Sequence, residues 1–109
     1  MTQPLALIIE DDPKLCTIYD TVVTQAGYAT EIIRRGDEAL KRLSTVSPSL
    51  ILLDIHLPYV SGLELLKVIR ATEALVKVPV IVLTADLYMA DSAPSVPTGY
   101  LRRTSAWAG

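Results

Sequence analysis

The sequence predicts a single α/β domain in which a parallel sheet carries helices on both faces. Short apolar segments rich in β-branched residues alternate with segments whose apolar residues recur at helical spacing. Neighbouring parallel strands need long crossover connections, and these connections are right-handed. Strands that are apolar throughout must be buried on both faces. The predicted fold class is therefore a doubly wound α/β sheet, with residues 1–109 forming one domain.

Four strands are predicted before residue 85, at Leu5 to Ile9, Tyr28 to Ile33, Leu50 to Leu53 and Val78 to Leu83. The first helix begins at Asp12, whose side chain can cap it, and at Pro13, which suits the first helical position. Gly27 supplies the residue that ends this helix. The apolar residues at helical spacing within it are Leu15, Ile18, Tyr19, Val22, Val23 and Ala26.

Two further helices follow the second and third strands. Asp37 is predicted to cap one of them, which carries Ala39, Leu40 and Leu43 on one face. The other is predicted to turn Leu63, Leu66 and Ile69 inward. Helices between successive strands complete the crossovers that a parallel sheet requires.

The regular pattern fails after Thr84. Residues 86–93 offer about two helical turns before Pro94 and Pro97, which cannot occupy a helix interior. Residues 99–101 form a short fifth strand in this prediction, and too few residues follow for a closing helix. The fourth helix is thus expected to be degenerate and the final one missing. A homodimer, a swapped segment or Trp107 folding back would then cover the sheet, and a truncated or frame-shifted end is the alternative explanation.

Composition excludes several classes of function. The net charge is −2 and half of the 109 residues are hydrophobic, with no stretch of more than two adjacent basic residues. The sequence therefore lacks the basic surface that direct nucleic-acid binding requires. No apolar run approaches the ~20 residues of a membrane helix, and the first residues do not resemble a signal peptide. The single cysteine, Cys16, excludes an internal disulfide, so a cytoplasmic location and a helix-packing role are expected.

Acidic residues follow two of the predicted strands directly. Glu10, Asp11 and Asp12 follow the first strand, and Asp54 follows the third. The carboxyl ends of parallel strands lie along one edge of a sheet, where ligands bind. Two carboxylates about 4 Å apart repel by about 4 kcal/mol at an effective dielectric constant of about 20, so such a pocket calls for a cation or a proton.

A plainer explanation exists for each acid taken singly. Asp12 is best explained as a helix cap, and Glu10 and Asp11 could lie in a solvated loop. The combination with Asp54 and with Thr84, which ends the fourth strand, favours a functional site.

The segments Leu7 to Pro13, Leu52 to Pro58 with Gly62 to Leu66, and Val80 to Ala85 resemble the receiver domain of two-component response regulators. The resemblance extends from residue 5 to about residue 86, and residues 87–109 are atypical. It implies a CheY-like, flavodoxin-like sheet with strand order 2-1-3-4-5.

The same resemblance implies a phosphoryl-transfer site. Asp54 would be the phosphoacceptor, receiving a phosphoryl group from a histidine kinase or a histidine phosphotransfer protein. Glu10, Asp11, Asp54 and the backbone carbonyl of His56 would hold a magnesium ion, which suits a site of few carboxylates. The His56 side chain is expected to be exposed and to modulate the rate, in preference to binding metal.

The switch residues are also implied by the resemblance. Thr84 would donate its hydroxyl to a phosphoryl oxygen, and Tyr100 would be the switch aromatic. Arg103 would stand where the family has a lysine, and this exchange is not conservative because arginine is larger and planar. Kinase specificity would lie on the first helix, in residues such as Lys14, Thr17 and Tyr19.

The function expected is a receiver without an output domain that acts as a phosphorelay component or switch through a downstream protein partner. It would catalyse its own magnesium-dependent phosphorylation and dephosphorylation without being a classical enzyme. The alternative is a degenerate receiver that binds partners independently of phosphorylation. A flavodoxin-like cofactor binder is discounted, because the first loop is acidic and lacks the glycines that hold a phosphate.

Overall fold

The computed structural model describes residues 3–84 and 100–102, with the backbone alone at Thr84 and at 100–102. Its elements are β1 (Leu5–Ile9), α1 (Pro13–Gln25), β2 (Ala29–Ile33), α2 (Gly36–Leu43), β3 (Leu50–Asp54), α3 (Gly62–Ala71), β4 (Val80–Thr84) and β5 (Tyr100–Arg102). The strands form one five-stranded parallel sheet in the order β2-β1-β3-β4-β5. This confirms the predicted fold class and strand order. The predicted fourth helix and Trp107 lie outside the described residues.

The sheet separates two apolar layers, as the side-chain alternation along a strand requires. In β1, Leu7 and Ile9 belong to the larger cluster, which lies between the sheet and helices α2 and α3. The alternate residues Ala6 and Ile8 belong to a second cluster with Tyr19 and Val23 of α1. Both faces of β1 are therefore buried, which explains why its sequence is apolar throughout.

The start of α1 is capped as predicted. The Asp12 carboxylate accepts hydrogen bonds from the backbone N–H groups of Lys14 at 2.8 Å and Leu15 at 3.3 Å. Gly27, which follows the helix, has a φ of 101°, a conformation that favours glycine. None of the described helices has the length and apolar character needed to cross a membrane.

The sheet buries only part of the apolar stripe of α1. The helix buries Tyr19 and Val23, whereas Ile18 and Val22 are 54% and 58% exposed. The sequence pattern alone could not show which part of the stripe meets the sheet.

Two details of the other helices were predicted wrongly. Asp37 does not cap α2, because Arg35 occupies the cap position and Asp37 lies in the first turn, bonded to the Arg35 guanidinium. In α3, Leu63 is 41% exposed, because the buried face of the helix consists of Gly62, Leu65, Leu66 and Ile69. Of the three residues predicted to share one face of α2, Ala39 and Leu43 are buried and Leu40 is 40% exposed.

Candidate functional site

Three carboxylates meet at the carboxyl edge of the sheet. Glu10 directly follows β1, Asp54 ends β3, and Asp11 lies in the loop between β1 and α1. One oxygen from each of the three groups lies within 4.8 Å of those of the other two. Glu10 and Asp54 are completely buried, whereas Asp11 is exposed. The acidic cluster predicted from the strand ends is thus assembled in the structure.

Such crowding is electrostatically unfavourable without a cation. At 4.8 Å, two unit charges repel by about 3.5 kcal/mol if the effective dielectric constant is about 20. Two of the three groups are buried, so water screens the repulsion between them poorly. Magnesium prefers oxygen ligands and is commonly bound through one or two carboxylates with retained waters. The donor set of Glu10, Asp11 and Asp54 therefore fits a hard divalent cation.

The position of Glu10 is fixed by backbone contacts on both sides. Its N–H donates to the Ile33 carbonyl at 3.0 Å, and one of its carboxylate oxygens accepts from the Asp12 N–H at 3.1 Å. The Cys16 thiol donates to the Glu10 carbonyl oxygen at 3.1 Å. Burial, and then the nearby Glu10 carboxylate, raise the pKa of the Cys16 thiol, so Cys16 stays neutral, as expected of a packing residue.

Arg34 holds the loop that carries Asp11. Its guanidinium, just beyond the end of β2, donates two hydrogen bonds to the Asp11 carbonyl oxygen, at 3.0 and 3.3 Å. This contact was not predicted from the sequence. The available signal was the arginine pair Arg34 and Arg35, which follows a strand at the same edge of the sheet as the acids.

The Asp54 carboxylate is oriented by the loop that follows it. The backbone N–H of His56 donates to Asp54 Oδ1 at 3.0 Å. Gly62 closes this loop, because its N–H donates to the Ile55 carbonyl at 2.9 Å. A Cβ atom at Gly62 would lie 2.0 Å from the Asp54 carbonyl oxygen, so only glycine fits against the end of β3.

The segment between Asp54 and α3 also lies against the start of α2. The Gly36 N–H donates to the Pro58 carbonyl at 3.2 Å, and a Cβ atom at Gly36 would lie 2.0 Å from the Val60 carbonyl oxygen. The guanidinium of Arg35 lies 4.1 Å above the centre of the Tyr59 ring. The β2–α2 junction therefore makes both backbone and side-chain contacts with this segment.

Arg35 is itself held by acids of α2. It forms an ion pair with Asp37 at 2.9 Å and a longer one with Glu38 at 4.0 Å. The hydrogen bonds with Asp37 raise the pKa of the arginine and lower the pKa of the Asp37 carboxyl.

Comparison with known proteins identifies the family. Residues 6–97 match the family model described as the response regulator receiver domain. The chain belongs to this family. YkoG of Bacillus subtilis, an uncharacterized transcriptional regulatory protein, is 39% identical over 93 residues, which are 85% of this chain and 38% of that protein. The DNA-binding response regulator MtrA of Mycolicibacterium smegmatis is 32% identical over 93 residues, covering 85% of this chain and 40% of that protein. The chain thus spans about two-fifths of the length of these curated relatives.

Solved receiver structures resemble this receiver domain over most of its length. The receiver domain of a sensor histidine kinase from Pseudomonas aeruginosa, crystallised with a magnesium ion coordinated in its active site cleft, is 28% identical with a TM-score of 0.81. The match covers 96% of this chain and 88% of that one. The chemotaxis response regulator CheY4 of Vibrio cholerae has a TM-score of 0.84 at 22% identity, covering 96% and 90% of the two chains, and supports the fold.

The other predicted site residues of the receiver domain are placed only in part. Thr84 ends β4, and its backbone pairs with Arg102 of β5. Tyr100 begins β5 opposite Val82. Arg103 and the side chains of Thr84 and Tyr100 lie outside the described residues, so their roles stay predictions.

Two predictions about the surface can be compared with the structure. The His56 side chain is exposed, as predicted. On α1, Lys14 and Thr17 are exposed, but Tyr19 is only 7% exposed because it packs into the cluster beneath the helix. Tyr19 was therefore wrongly nominated as a surface residue for kinase specificity.

Proposed function

We propose that this receiver domain accepts a phosphoryl group on Asp54 from a histidine kinase or a histidine phosphotransfer protein, in a magnesium-dependent reaction. The observation that carries the proposal is the placement of Asp54. Its buried carboxylate ends β3 with one oxygen within 4.8 Å of the Glu10 and Asp11 carboxylates. Transfer to Asp54 would make the domain a phosphorelay component or a signalling switch.

The chemistry requires a carboxylate that attacks phosphorus. A carboxylate oxygen of Asp54 forms the new P–O bond while the P–N bond to the donor histidine breaks, and the electron pair of that bond stays on the imidazole nitrogen. The product is an aspartyl phosphate. The hydrogen bond from the His56 N–H to Asp54 Oδ1 fixes the orientation of the carboxylate before the donor arrives.

The negative charge of the pocket must be offset for a phosphoryl group to enter. The carboxylates of Glu10, Asp11 and Asp54 and the backbone carbonyl of His56 would hold the magnesium ion. When bound, the ion supplies positive charge for the acids and for the phosphoryl oxygens. The Arg34 bonds to the Asp11 carbonyl keep the exposed member of the cluster beside the two buried ones.

The remaining parts of the proposal concern switching and partners. Thr84, Tyr100 and Arg103 would bind the phosphoryl group or respond to it. The exposed face of α1, where Ile18 and Val22 lie beside polar residues, would dock the phosphodonor protein. A downstream protein partner in the cytoplasm would receive the signal, and a homodimer stays a prediction.

Intact-mass measurement after incubation with magnesium and acetyl phosphate tests the proposal. The wild-type protein should gain one phosphoryl group, and neither Asp54→Asn nor the metal-free protein should gain it. Asp12→Asn is the matched control, because it removes one acid from the same edge of the sheet while asparagine still caps α1. This variant should be phosphorylated like the wild type. Folded protein that binds magnesium but gains no phosphoryl group would refute the proposal and favour a phosphorylation-independent binding module.

A further inference from the structure

The loop that follows Asp54 contains a strained turn. Tyr59 has a φ of 74°, and the Val60 N–H donates to the Pro58 carbonyl at 3.0 Å across it. A hydrogen bond between residues two apart around a positive φ is a γ-turn of the rare, strained type. Non-glycine residues hold such conformations only when their surroundings fix them. Something in the structure must therefore hold Tyr59.

Burial of the Tyr59 ring is not what holds it. The residue is 75% exposed, more than any other large apolar or aromatic residue in the described part of the chain. Within the described residues, the ring is contacted by the guanidinium of Arg35, which lies 4.1 Å from the ring centre. A cation over the face of an aromatic ring within about 6 Å is attracted by the ring's quadrupole.

The guanidinium of Arg35 is also held by hydrogen bonds that do not involve Tyr59. Its Nε and one terminal nitrogen donate to the two carboxylate oxygens of Asp37, at 3.0 and 2.9 Å. Such two-point bonding fixes the plane of a guanidinium as well as its position. The adjacent Gly36 N–H bonds to Pro58 on the same loop. The side chain of Arg35 therefore acts at a junction that already touches the strained turn.

The loop connects this junction to the acidic site. His56 lies three residues before Tyr59, and its N–H is the group that orients Asp54 Oδ1. At the far end, Gly62 is bonded to Ile55 and packs on the Asp54 backbone. A loop fixed at both ends transmits a change at Tyr59 to His56, since it has few residues over which to absorb the change.

We propose that Arg35 is a positioning residue for the acidic site. Its stacking on Tyr59 keeps the 55–61 loop in the conformation that places the His56 backbone against Asp54. Arg35 acts through Tyr59 and touches none of the three acids. This inference rests on the proposed function, because it assigns Arg35 a role in metal binding and phosphoryl transfer at that site.

Five variants of the full chain test the inference. Arg35→Met and Tyr59→Leu each remove one partner of the contact and replace it with an apolar side chain that is not branched at Cβ. The variant with both changes completes a double-mutant cycle. Tyr59→Phe keeps the ring and should match the wild type. Arg42→Met is the control, because the Arg42 side chain bonds to Glu31 at 2.6 Å and to Thr45, both of which lie outside the loop.

Two measurements are made on each variant, neither of which needs a phosphorylated protein. Amide hydrogen exchange of metal-free protein follows the N–H groups of His56, Val60 and Gly62, and calorimetric titration gives the Kd for magnesium alone. Loss of the stack should speed exchange at these amides and weaken magnesium binding, each by about two- to fivefold. The double variant should be no worse than either single variant. Arg42→Met should leave the Kd unchanged.

The outcomes separate the inference from the function on which it rests. Wild-type protein that binds no magnesium and gains no phosphoryl group from acetyl phosphate overturns the proposed function. A working wild type with unchanged exchange in Arg35→Met overturns the inference alone. Faster exchange with an unchanged Kd for magnesium also overturns the inference, because Arg35 would then stabilise the loop without positioning the site. Additive effects of the two single variants would show that they do not act through one contact.

Discussion

Replacing Asp54 by asparagine should stabilise the metal-free receiver domain and greatly reduce the further stabilisation that magnesium provides. The substitution removes one of three clustered charges and therefore two of the three pairwise repulsions. Asparagine keeps an oxygen that can accept the hydrogen bond from the His56 N–H, and its size matches that of aspartate. The main consequence of the change is therefore electrostatic.

The magnitude follows from the distances and the burial. The buried pair of Asp54 and Glu10, with oxygens no more than 4.8 Å apart, repels by about 3.5 kcal/mol at an effective dielectric constant of about 20. The pair with exposed Asp11 is closer to the value in water, about 1 kcal/mol. Part of this energy is offset, because the charges also repel one another in the denatured chain and because the amide of asparagine is itself polar and buried. The free energy of unfolding should therefore rise by about 1 to 3 kcal/mol. At roughly 5 °C per kcal/mol, Tm should rise by about 5 to 15 °C.

Urea and thermal unfolding at neutral pH, with and without magnesium, provide the assay. Magnesium at about ten times its Kd should stabilise the wild type by about 1.4 kcal/mol and Asp54→Asn by much less. Asp12→Asn, which removes a charge outside the cluster, should change stability little in either condition. If Asp54→Asn leaves the metal-free protein equally stable or less stable, the carboxylates do not repel one another as calculated. Repulsion among the three carboxylates would then not favour a bound cation.

Three further predictions concern the supports of the site and its surroundings. Gly62→Ala should destabilise the domain by about 3 kcal/mol in urea unfolding, because its Cβ would lie 2.0 Å from the Asp54 carbonyl oxygen. Arg42 lowers the pKa of Glu31, so their pair stabilises the fold above the unfolded pKa of about 4.3 and loses this effect as the pH falls through the lower folded value. Arg42→Met should thus cost a small amount of stability at neutral pH, and this cost should shrink as the Glu31 carboxyl becomes protonated, as measured by urea unfolding across the acidic pH range. Ile18→Glu should slow phosphoryl transfer from a kinase, followed with radiolabelled kinase, and leave the reaction with acetyl phosphate unchanged.

The fold and the core of the site could be predicted because they depend on local sequence patterns and on the topology of a parallel sheet. The bounds of β1 match the prediction residue for residue, since an apolar run lies between Pro4 and Glu10. The clustering of Glu10, Asp11 and Asp54 followed from one rule, that parallel strands end at the same edge of a sheet. Neither inference needed the identity of a contact between distant side chains.

The wrong cap at Asp37 and the missed contact of Arg35 with Tyr59 both involve contacts between distant loops. Asp37 has the residue type of a helix cap, yet α2 is capped two residues earlier, at Arg35, where Gly36 lies against Val60. No local pattern predicts that approach. The stacking of Arg35 on Tyr59 depends on the same packing of the β2–α2 junction against the 55–61 loop. Such contacts become visible only once the elements are placed.

The sheet and the loops make separate contributions to the site. The sheet brings the carboxylates together at a cost of several kcal/mol, which is a large share of the 5–15 kcal/mol that stabilises a typical domain. The loops resist that repulsion through backbone contacts: Glu10 is bonded to Ile33, Asp54 is bonded to His56, and Gly62 is bonded to Ile55. A cation that relieves the repulsion must then stabilise the fold as it binds, because the two equilibria share the same electrostatic energy. Metal affinity and stability of the metal-free protein should therefore change in opposite directions whenever a charge is removed from this cluster.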